Sequence, residues 1–334
     1  MKKIAIVGGG SWGTALAIVL ARSRQPHRLA LWVHDPALCA SLRARRVNEI
    51  YLPGFELPAE VEVTGELGEA LGEAHIVLGV MPSAHARALY MRMLNYLEPR
   101  MVFVSATKGL EQKSLERMTE VLSQVVSLKF TPRVAVLSGP SFAREVARGD
   151  PTAVVIASAD RELAAELQEE FSAPTFRLYT NDDVAGVELG GAVKNVIAIA
   201  AGACEGLGFG HNTIAALITR GLTEMTRLAC ALGGRRETLA GLAGMGDLVL
   251  TCTGALSRNR TVGVELGKGR RLDEVIGSMR MVAEGVGTTA ATIQLARRAR
   301  VEMPITEQMY TVLHQGRAPS EAIRELMERR LKQE

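Results

Sequence analysis

Aromatic residues, cysteine and net charge are all scarce in this sequence. Of its 334 residues only 4% are aromatic, and the formal net charge is +3. So few aromatic rings argue against a surface that stacks bases, and the charge is too small to indicate nucleic-acid binding. Basic pairs such as Arg235-Arg236 are scattered and mixed with glutamate, which is typical of solvated helix faces. We therefore expect no nucleic-acid partner.

The cysteines provide neither metal-ligand spacing nor a disulfide framework. Cys39, Cys204, Cys230 and Cys252 lie far apart and form no C-x-x-C pair. Structural metal sites need such closely spaced ligands. We expect buried, reduced thiols that pack as small apolar side chains, and no metal site.

Long hydrophobic runs are also missing. A membrane span needs about 18 or more apolar residues, whereas the most apolar run, residues 196–204, ends at Glu205. The apolar start at residues 4–7 stops at a glycine cluster, unlike a signal peptide. The sequence predicts a cytoplasmic protein without membrane insertion. Its length suggests two domains, at about 150 residues each.

The first half of the chain alternates β-branched runs with helical stretches. Helical patterns cover residues 14–22 and 161–171. The predicted strands are residues 3–7, 29–33, 61–64, 75–80, 101–106, 134–138, 151–158 and 175–179. Strands separated by helices predict parallel pairing and a doubly wound α/β sheet of the Rossmann type.

The pattern changes at Asn181-Asp182-Asp183, which suit a turn and a helix cap. The chain beyond them is rich in Ala, Leu, Gly and Met. Its predicted helices are residues 184–202, 212–232, 236–239, 247–251, 261–268, 272–276, 287–299, 304–314 and 319–332. We predict an α/β domain over residues 1–183 and an all-α domain over residues 184–334.

A glycine-rich turn directly follows the first strand and opens a helix. Gly8, Gly10 and Gly13 fit G-x-G-x-x-G, whose glycines permit a tight turn, close approach of a pyrophosphate, and close helix–strand packing. The helix N-terminus adds N–H donors and a positive dipole. This context predicts a dinucleotide-binding site rather than an ordinary glycine turn.

The residue that ends the second strand bears on the choice between NADH and NADPH. A carboxylate there would accept hydrogen bonds from the ribose 2′-hydroxyl. Here His34 holds that position and Asp35 follows one place late. Arginines at positions 43, 45 and 46 could reach a 2′-phosphate. The sequence favours NADPH without excluding NADH.

Small and polar residues follow the other strands, where ligands of open parallel sheets bind. Thr107-Lys108-Gly109 follows the fifth strand, and residues 138–143, Ser-Gly-Pro-Ser-Phe-Ala, end the sixth. A lysine at this edge could hold an anionic substrate. The alternative is an ordinary surface lysine.

Lys194 lies in an apolar helical stretch, residues 189–201, and should be buried. A buried ammonium is costly unless it is paired or loses its proton, and desolvation favours the neutral base. These properties suit a lysine that transfers protons in catalysis. A snorkelling lysine at the helix edge is the alternative.

Two polar segments could complete this site. Asp247 ends a glycine-rich loop at a helix start, so it is either an N-cap or a carboxylate that orients Lys194. Ser257, Arg258 and Asn259 supply a hydroxyl, a guanidinium and an amide, which together suit a phosphate. With a dinucleotide fold, they indicate a small phosphorylated substrate.

Six of these segments together resemble the bacterial glycerol-3-phosphate dehydrogenase family. They are Gly-Gly-Gly-Ser-Trp-Gly-Thr-Ala-Leu-Ala, Ala-Thr-Lys108-Gly-Leu, Ser-Gly-Pro-Ser-Phe-Ala, Leu-Gly-Gly-Ala-Val-Lys194-Asn-Val-Ile-Ala, Ala-Gly-Met-Gly-Asp247-Leu and Ser-Arg258-Asn-Arg. The resemblance runs from residue 4 to about residue 310. It implies NAD(P)H-dependent interconversion of dihydroxyacetone phosphate and sn-glycerol 3-phosphate for phospholipid synthesis, with a helical domain like that of 6-phosphogluconate dehydrogenase.

The resemblance also implies roles for individual residues. Lys194 would be the proton acceptor in the oxidation direction, Lys108 would bind substrate and cofactor, and Asp247 would hold Lys194 and substrate in position. The other substrate-binding residues would be Gly139, Ser141, Ser257, Arg258 and Asn259. The cofactor-binding residues would be Gly8, Gly10, Ser11, Trp12, Gly13, His34, Lys108, Ala143, Arg258, Val282 and Glu284.

Two alternatives stay open at this point. One is a β-hydroxyacid or 6-phosphogluconate-type dehydrogenase, which shares the architecture and a central lysine. The other is a non-enzymatic dinucleotide sensor, which needs the glycine loop but no buried lysine. The apolar helical half also suggests a homodimer.

Overall fold

The computed structural model describes residues 1–279 and 283–330. Within them the chain forms two compact units, and the division falls inside one long helix. The first unit comprises residues 1–108 and 116–188, and the second comprises residues 109–115 and those from 189 onward. The domain boundary at residue 183 stays a prediction, and the compact units divide five residues later.

Short β-branched runs in the first unit form one eight-stranded sheet, and every predicted strand belongs to it. The strands are β1 Lys2–Val7, β2 His27–Trp32, β5 Val61–Thr64, β6 Ile76–Gly79, β7 Val102–Ser105, β8 Arg133–Ser138, β9 Thr152–Ala157 and β10 Phe176–Asn181. The order across the sheet is β10-β9-β8-β7-β6-β1-β2-β5. A separate hairpin, β3 Val47–Asn48 with β4 Leu52–Glu56, was not predicted.

The prediction that all strands pair in parallel is wrong at one place, because β8 and β9 pair antiparallel. A parallel connection needs a crossover of a dozen or more residues, usually through a helix on the sheet. Thirteen residues connect these strands, which is long enough, but their helix α6, Ala143–Arg148, packs mainly against helix α1, Ser11–Leu20, and not on β8 and β9.

Helices cover both faces of the sheet, as a doubly wound fold requires. One core contains Ile6, Leu31 and Val104, and the other contains Val7, Trp32 and Phe103. The remaining helices of the first unit are α2 Pro36–Arg45, α3 Leu67–Leu71, α4 Ala86–Met93, α5 Met118–Val126 and α7 Arg161–Phe171. The strand order reverses between β1 and β6, so their carboxyl ends define the crevice where such sheets bind ligands.

All nine helices predicted after residue 183 are present. They are α8 Val184–Gly206, α9 His211–Ala231, α10 Arg236–Ala240, α11 Asp247–Thr253, α12 Arg258–Gly267, α13 Leu272–Ser278, α14 Glu284–Ala299, α15 Pro304–Gln315 and α16 Pro319–Met327. The last helix is shorter than predicted, since α16 ends at Met327 and residues 328–330 are not helical. The predicted end at residue 332 lies outside the described residues. A π-helical turn, Leu242–Gly246, precedes α11.

Helix α8 is the apolar centre of the second unit. It is long and apolar enough to cross a membrane by length and composition, although 89% of its most apolar window is buried within the protein. The uninterrupted apolar run inside α8 stays short, because Lys194 and Asn195 lie within the helix. Its buried side chains, such as Val196 and Ile197, pack with residues of the surrounding helices.

Three of the four cysteines are buried as expected, but Cys230 on α9 is exposed. The prediction of four buried thiols is wrong there because Cys230 falls on the outer face of the helix, whereas Leu228 and Ala229 are buried.

Candidate functional site

The glycine turn after β1 is built for close backbone approach. Gly8 has φ +135°, and a Cβ there would lie 2.1 Å from the Val80 carbonyl oxygen. A Cβ on Gly13 would lie 1.8 Å from the Gly8 oxygen. In contrast, a Cβ on Gly10 would meet nothing within 4 Å. Gly8 and Gly13 are therefore required by packing, whereas Gly10 leaves space for a ligand.

The N-terminus of α1 fits an anionic group. Its N-cap residue, Gly10, provides no side-chain hydrogen bond to the first N–H groups, which are natural anion donors. The half-buried Trp12 also has a buried Nε1 atom that lacks a hydrogen-bond partner in the described structure. An open cradle and an unsatisfied buried donor together fit the dinucleotide that the motif predicts.

Asn48 anchors this turn and was missed by the sequence analysis. Its buried side-chain amide donates to the Gly9 carbonyl at 2.9 Å and to the Thr14 hydroxyl at 2.8 Å. Asn48 lies in the unpredicted hairpin, where no periodic pattern marked it. The role of Asn48 is seen only in the folded protein, where the hairpin contacts the glycine turn.

The structure narrows which side chains near β2 can contact a ribose. Asp35 caps α2, since its Oδ1 accepts from the backbone N–H groups of Ala37 and Leu38, whereas His34 is exposed. Arg43 donates to the Val63 carbonyl at 2.7 Å and Arg46 to the Val61 carbonyl at 2.9 Å. Two of the arginines proposed to reach a 2′-phosphate therefore brace the segment at β5.

Lys108, Gly139 and Ser141 meet at the carboxyl ends of β7 and β8. Lys108 Nζ donates to the Gly139 carbonyl at 3.0 Å, and Ser141 Oγ donates to the same oxygen at 2.9 Å. Gly139 has φ +133°, which glycine adopts without strain. Ala143 begins α6 four residues beyond. The prediction that these residues share the ligand edge of the sheet agrees with this geometry.

Lys194 forms a buried ion pair with Asp247 in the second unit. The two side chains are 6% and 1% exposed. Gly190 makes the contact possible, because a Cβ there would lie 2.6 Å from the Ala243 oxygen. One turn beyond Gly190 and Ala243, the side chains of Lys194 and Asp247 meet. Of the two interpretations of Asp247, the structure supports the carboxylate partner, since Gly246 is the N-cap.

Thr251 is a further member of this site that the sequence analysis missed. Lys194 Nζ donates to Thr251 Oγ1 at 2.7 Å, and that hydroxyl donates to the Asp247 carbonyl at 2.6 Å. The spacing of four residues on α11 was the available signal. The neighbouring Cys252 is a neutral thiol, because burial raises its pKa to about 12.

The Ser-Arg-Asn segment divides into three different environments. The Ser257 side chain caps α12 by accepting from the Arg260 N–H. The Asn259 amide is buried and bonded to Asn195 and to the Gly285 N–H. Arg258 is an exposed residue. Neighbouring residues nevertheless remove part of the water around its guanidinium, which lowers the pKa of Arg258, and the Glu284 carboxylate opposes that shift.

The cofactor residues predicted near residue 283 are only partly described. Glu284 begins α14 and is half-buried, whereas Val282 lies outside the described residues. Among the described residues, no group of three His, Cys, Asp or Glu side chains is arranged to hold a metal ion.

A Rossmann-type sheet with a glycine-rich turn, followed by a helical unit with a buried lysine–carboxylate pair, defines an NAD(P)-dependent dehydrogenase. Residues 3–164 match the N-terminal model of NAD-dependent glycerol-3-phosphate dehydrogenase, and residues 183–324 match its C-terminal model. The chain belongs to the NAD-dependent glycerol-3-phosphate dehydrogenase family.

Individual relatives are similar to this chain over almost their whole length. A glycerol-3-phosphate dehydrogenase [NAD(P)+] of Koribacter versatilis is 62% identical over 330 residues, which are 98% of each chain. The protein of that name in Geobacter sulfurreducens is 52% identical over 100% of this chain and 99% of its own. A solved glycerol-3-phosphate dehydrogenase structure from Coxiella burnetii superimposes with a TM-score of 0.93 at 42% identity, covering 98% and 99% of the two chains.

Proposed function

We propose that the protein catalyses the reversible NAD(P)H-dependent reduction of dihydroxyacetone phosphate to sn-glycerol 3-phosphate, which supplies glycerol phosphate for phospholipid synthesis. The observation that carries the proposal is the buried pair of Lys194 and Asp247, joined by Thr251. A sensor has no need of such a pair, and family membership favours this reaction over that of a β-hydroxyacid or 6-phosphogluconate-type dehydrogenase.

Reduction of the ketone requires a hydride at C2 and a proton on the C2 oxygen. The nicotinamide cofactor supplies the hydride when bound, and takes it back in the oxidation direction. Lys194 donates the proton to the developing alkoxide, and in oxidation it accepts the proton of the C2 hydroxyl. Asp247 and Thr251 hold the lysine nitrogen in one position, so little ordering is needed at the moment of transfer.

The substrate's phosphate needs donors that neutralise a dianion. Arg258 is the charged fork that suits a phosphate. Asn259 can add its second amide hydrogen, because its described bonds use Oδ1 and one hydrogen, and Ser257 lies one residue before Arg258. Lys108, Gly139 and Ser141 are further residues proposed to bind the substrate.

The cofactor-binding role is assigned to the glycine turn and the strand ends. Gly8, Gly10 and Gly13 with the N–H groups of Ser11 and Trp12 would hold the pyrophosphate. The proposed further contacts are His34, Lys108, Ala143, Arg258, Val282 and Glu284. Because Asp35 uses its Oδ1 to cap α2 and His34 holds the position just beyond the end of β2, we propose that NADPH is accepted as well as NADH.

A kinetic comparison tests this function. Dihydroxyacetone phosphate should be reduced with NADPH and with NADH, assayed in parallel, whereas a 3-hydroxy acid should not be oxidised with NADP+ or NAD+. Absence of turnover on dihydroxyacetone phosphate together with activity on the 3-hydroxy acid would reject the proposal.

A homodimer in the cytoplasm is the proposed state of the enzyme. Apolar side chains of the second unit support this proposal, since Phe209, Met245 and Leu256 are each 42–45% exposed and would be available to an interface with a second copy. Sedimentation equilibrium checks the assembly, and a mass of 35.9 kDa at all concentrations would contradict it.

A further inference from the structure

Helices α8 and α12 pack with their backbones in contact. Cβ atoms added at Gly263 and Gly267 would lie 2.0 Å from the Ile199 oxygen and 2.4 Å from the Ala203 oxygen. A Cβ on Gly202 would likewise lie 2.0 Å from the Arg260 oxygen.

Asn259 lies on the same stripe of α12, four and eight residues before the two glycines. The helix packing therefore directs its side chain into the interface with α8. Asn259 is 9% exposed and Asn195 on α8 is 5% exposed.

Three groups form a directed chain of hydrogen bonds across α14, α12 and α8. The Gly285 N–H donates to Asn259 Oδ1 at 3.0 Å, and Asn259 Nδ2 donates to Asn195 Oδ1 at 2.9 Å. A backbone N–H can only donate, so it fixes which end of each amide is the acceptor. Asn195 directly follows Lys194, and Gly285 directly follows Glu284.

The series of hydrogen bonds from Gly285 through Asn259 to Asn195 has little freedom to lengthen. A Cβ on Gly285 would lie 2.8 Å from both the Asn195 carbonyl oxygen and Asn259 Oδ1. The N-terminus of α14 thus rests directly on α8 and α12. A buried amide left without its partner is costly, so movement at Gly285 has to move Asn259 and Asn195 with it.

We propose that Asn259 is a positioning residue that couples the N-terminus of α14 to the part of α8 that carries Lys194. A cofactor contact at Glu284 then holds the proton-transferring lysine in place through the amide chain. This role is additional to any contact of Asn259 with the substrate's phosphate. The coupling rests on the proposed function, because the cofactor contact of Glu284 and proton transfer by Lys194 are parts of that function.

The test uses Asn195→Ala, Asn259→Ala and the double variant. Four quantities are measured: the NADPH Kd by nicotinamide fluorescence, kcat and KM for dihydroxyacetone phosphate, and the midpoint of urea unfolding. Each single variant should weaken NADPH binding and lower kcat by roughly three- to tenfold, the effect of losing about one hydrogen bond. The double variant should show no larger loss of NADPH binding or kcat than Asn259→Ala, because both variants break the same series of hydrogen bonds.

Thr261→Ala is the matched control. Thr261 is exposed on α12, and its hydroxyl donates to the Ser257 carbonyl at the start of its own helix, so kcat and the NADPH Kd should stay at wild-type values. If Asn259→Ala does not fold, Asn259→Asp replaces it, because a carboxylate still accepts from Gly285 N–H but cannot donate to Asn195.

A ligand-only role for Asn259 gives a different result. The KM for dihydroxyacetone phosphate would rise alone, the NADPH Kd would not change, and the effects of the two substitutions would add. That outcome would overturn the proposal. If the wild-type protein failed to reduce dihydroxyacetone phosphate, the proposed function would fail, while the NADPH Kd and the unfolding cycle would still report the coupling.

Discussion

Lys194 and Asp247 form a buried ion pair although fifty-three residues separate them in the sequence. The contact exists because α8 and the turn before α11 touch at Gly190 and Ala243, one helical turn before the pair. A buried pair of this kind contributes less to stability than to geometry, since the desolvation of both charges offsets their attraction.

Lys194→Met should separate catalysis from cofactor binding. The substitution removes the proton donor, so kcat should fall by about 10²-fold or more, while the NADPH Kd stays near the wild-type value. It should also cost about 3–5 kcal/mol in unfolding free energy, because Asp247 is left buried without its cation. The matched control is Lys268→Met, an exposed lysine, and unchanged turnover in Lys194→Met would refute the catalytic assignment.

Thr251 should matter through its hydroxyl alone. Thr251→Val keeps the shape of the side chain but leaves an N–H of Lys194 without its acceptor, which costs about 1–3 kcal/mol. We expect kcat to fall roughly tenfold or more with little change in KM. Thr251→Ser retains the hydroxyl and should recover most of the rate; equal loss in both variants would show that the hydroxyl alone does not account for the role of Thr251.

Alanine substitutions at Gly10 and Gly13 should have different effects on cofactor binding and stability. Gly10→Ala adds a methyl group where nothing lies within 4 Å, so stability should be kept while the Kd for NADH and NADPH rises. Gly13→Ala places a Cβ 1.8 Å from the Gly8 oxygen, so the turn itself should be destabilised. Calorimetry with and without cofactor separates the two effects, and an unchanged Kd in Gly10→Ala would argue against this turn as the pyrophosphate site.

Gly263→Ala should destabilise the contact between α8 and α12. Its Cβ would collide with the Ile199 carbonyl oxygen, and overpacking of this kind costs about 1–3 kcal/mol. The control is Gly277→Ala on α13, where nothing lies within 4 Å of the added Cβ and alanine favours the helix by about 0.5–1 kcal/mol. Urea unfolding should therefore show opposite shifts, and equal shifts would mean that the close packing is not needed.

Glu224 should make stability depend on pH. This buried carboxylate of α9 accepts from the Ile305 and Thr306 N–H groups at the start of α15, and burial raises its pKa to about 7. A carboxyl with a raised folded-state pKa stabilises the fold most below its unfolded pKa of 4.5. That contribution, on the order of 3 kcal/mol, is lost as the pH rises to about 7.

Glu224→Gln removes the titration, so the fall in Tm between pH 5 and pH 8 should become shallower. Burial raises the pKa of Glu188 as well, and it adds a slope of the same sign to both proteins. Glu274→Gln, at an exposed position of α13, should keep the wild-type slope. A slope that is the same in wild type and Glu224→Gln would show that Glu224 does not titrate in this range.

Local pattern was enough to predict all strands of the main sheet and the helices of the second half. Alternation and periodicity are properties of neighbouring residues, and they persist whatever the rest of the chain does. The G-x-G-x-x-G turn and the burial of Lys194 follow from the same local information. The hairpin with Asn48 escaped prediction because its strands are short and carry no regular pattern.

Partners distant in sequence were decided only by the tertiary structure. The antiparallel pairing of β9, the bridge by Thr251 and the amide chain from Asn195 through Asn259 to Gly285 depend on which backbones come into contact. Residue types limited what each group could donate or accept. Packing of α8 against α12 and of Gly190 against Ala243 selected the actual partners, because a hydrogen bond forms only where the fold brings its two atoms together.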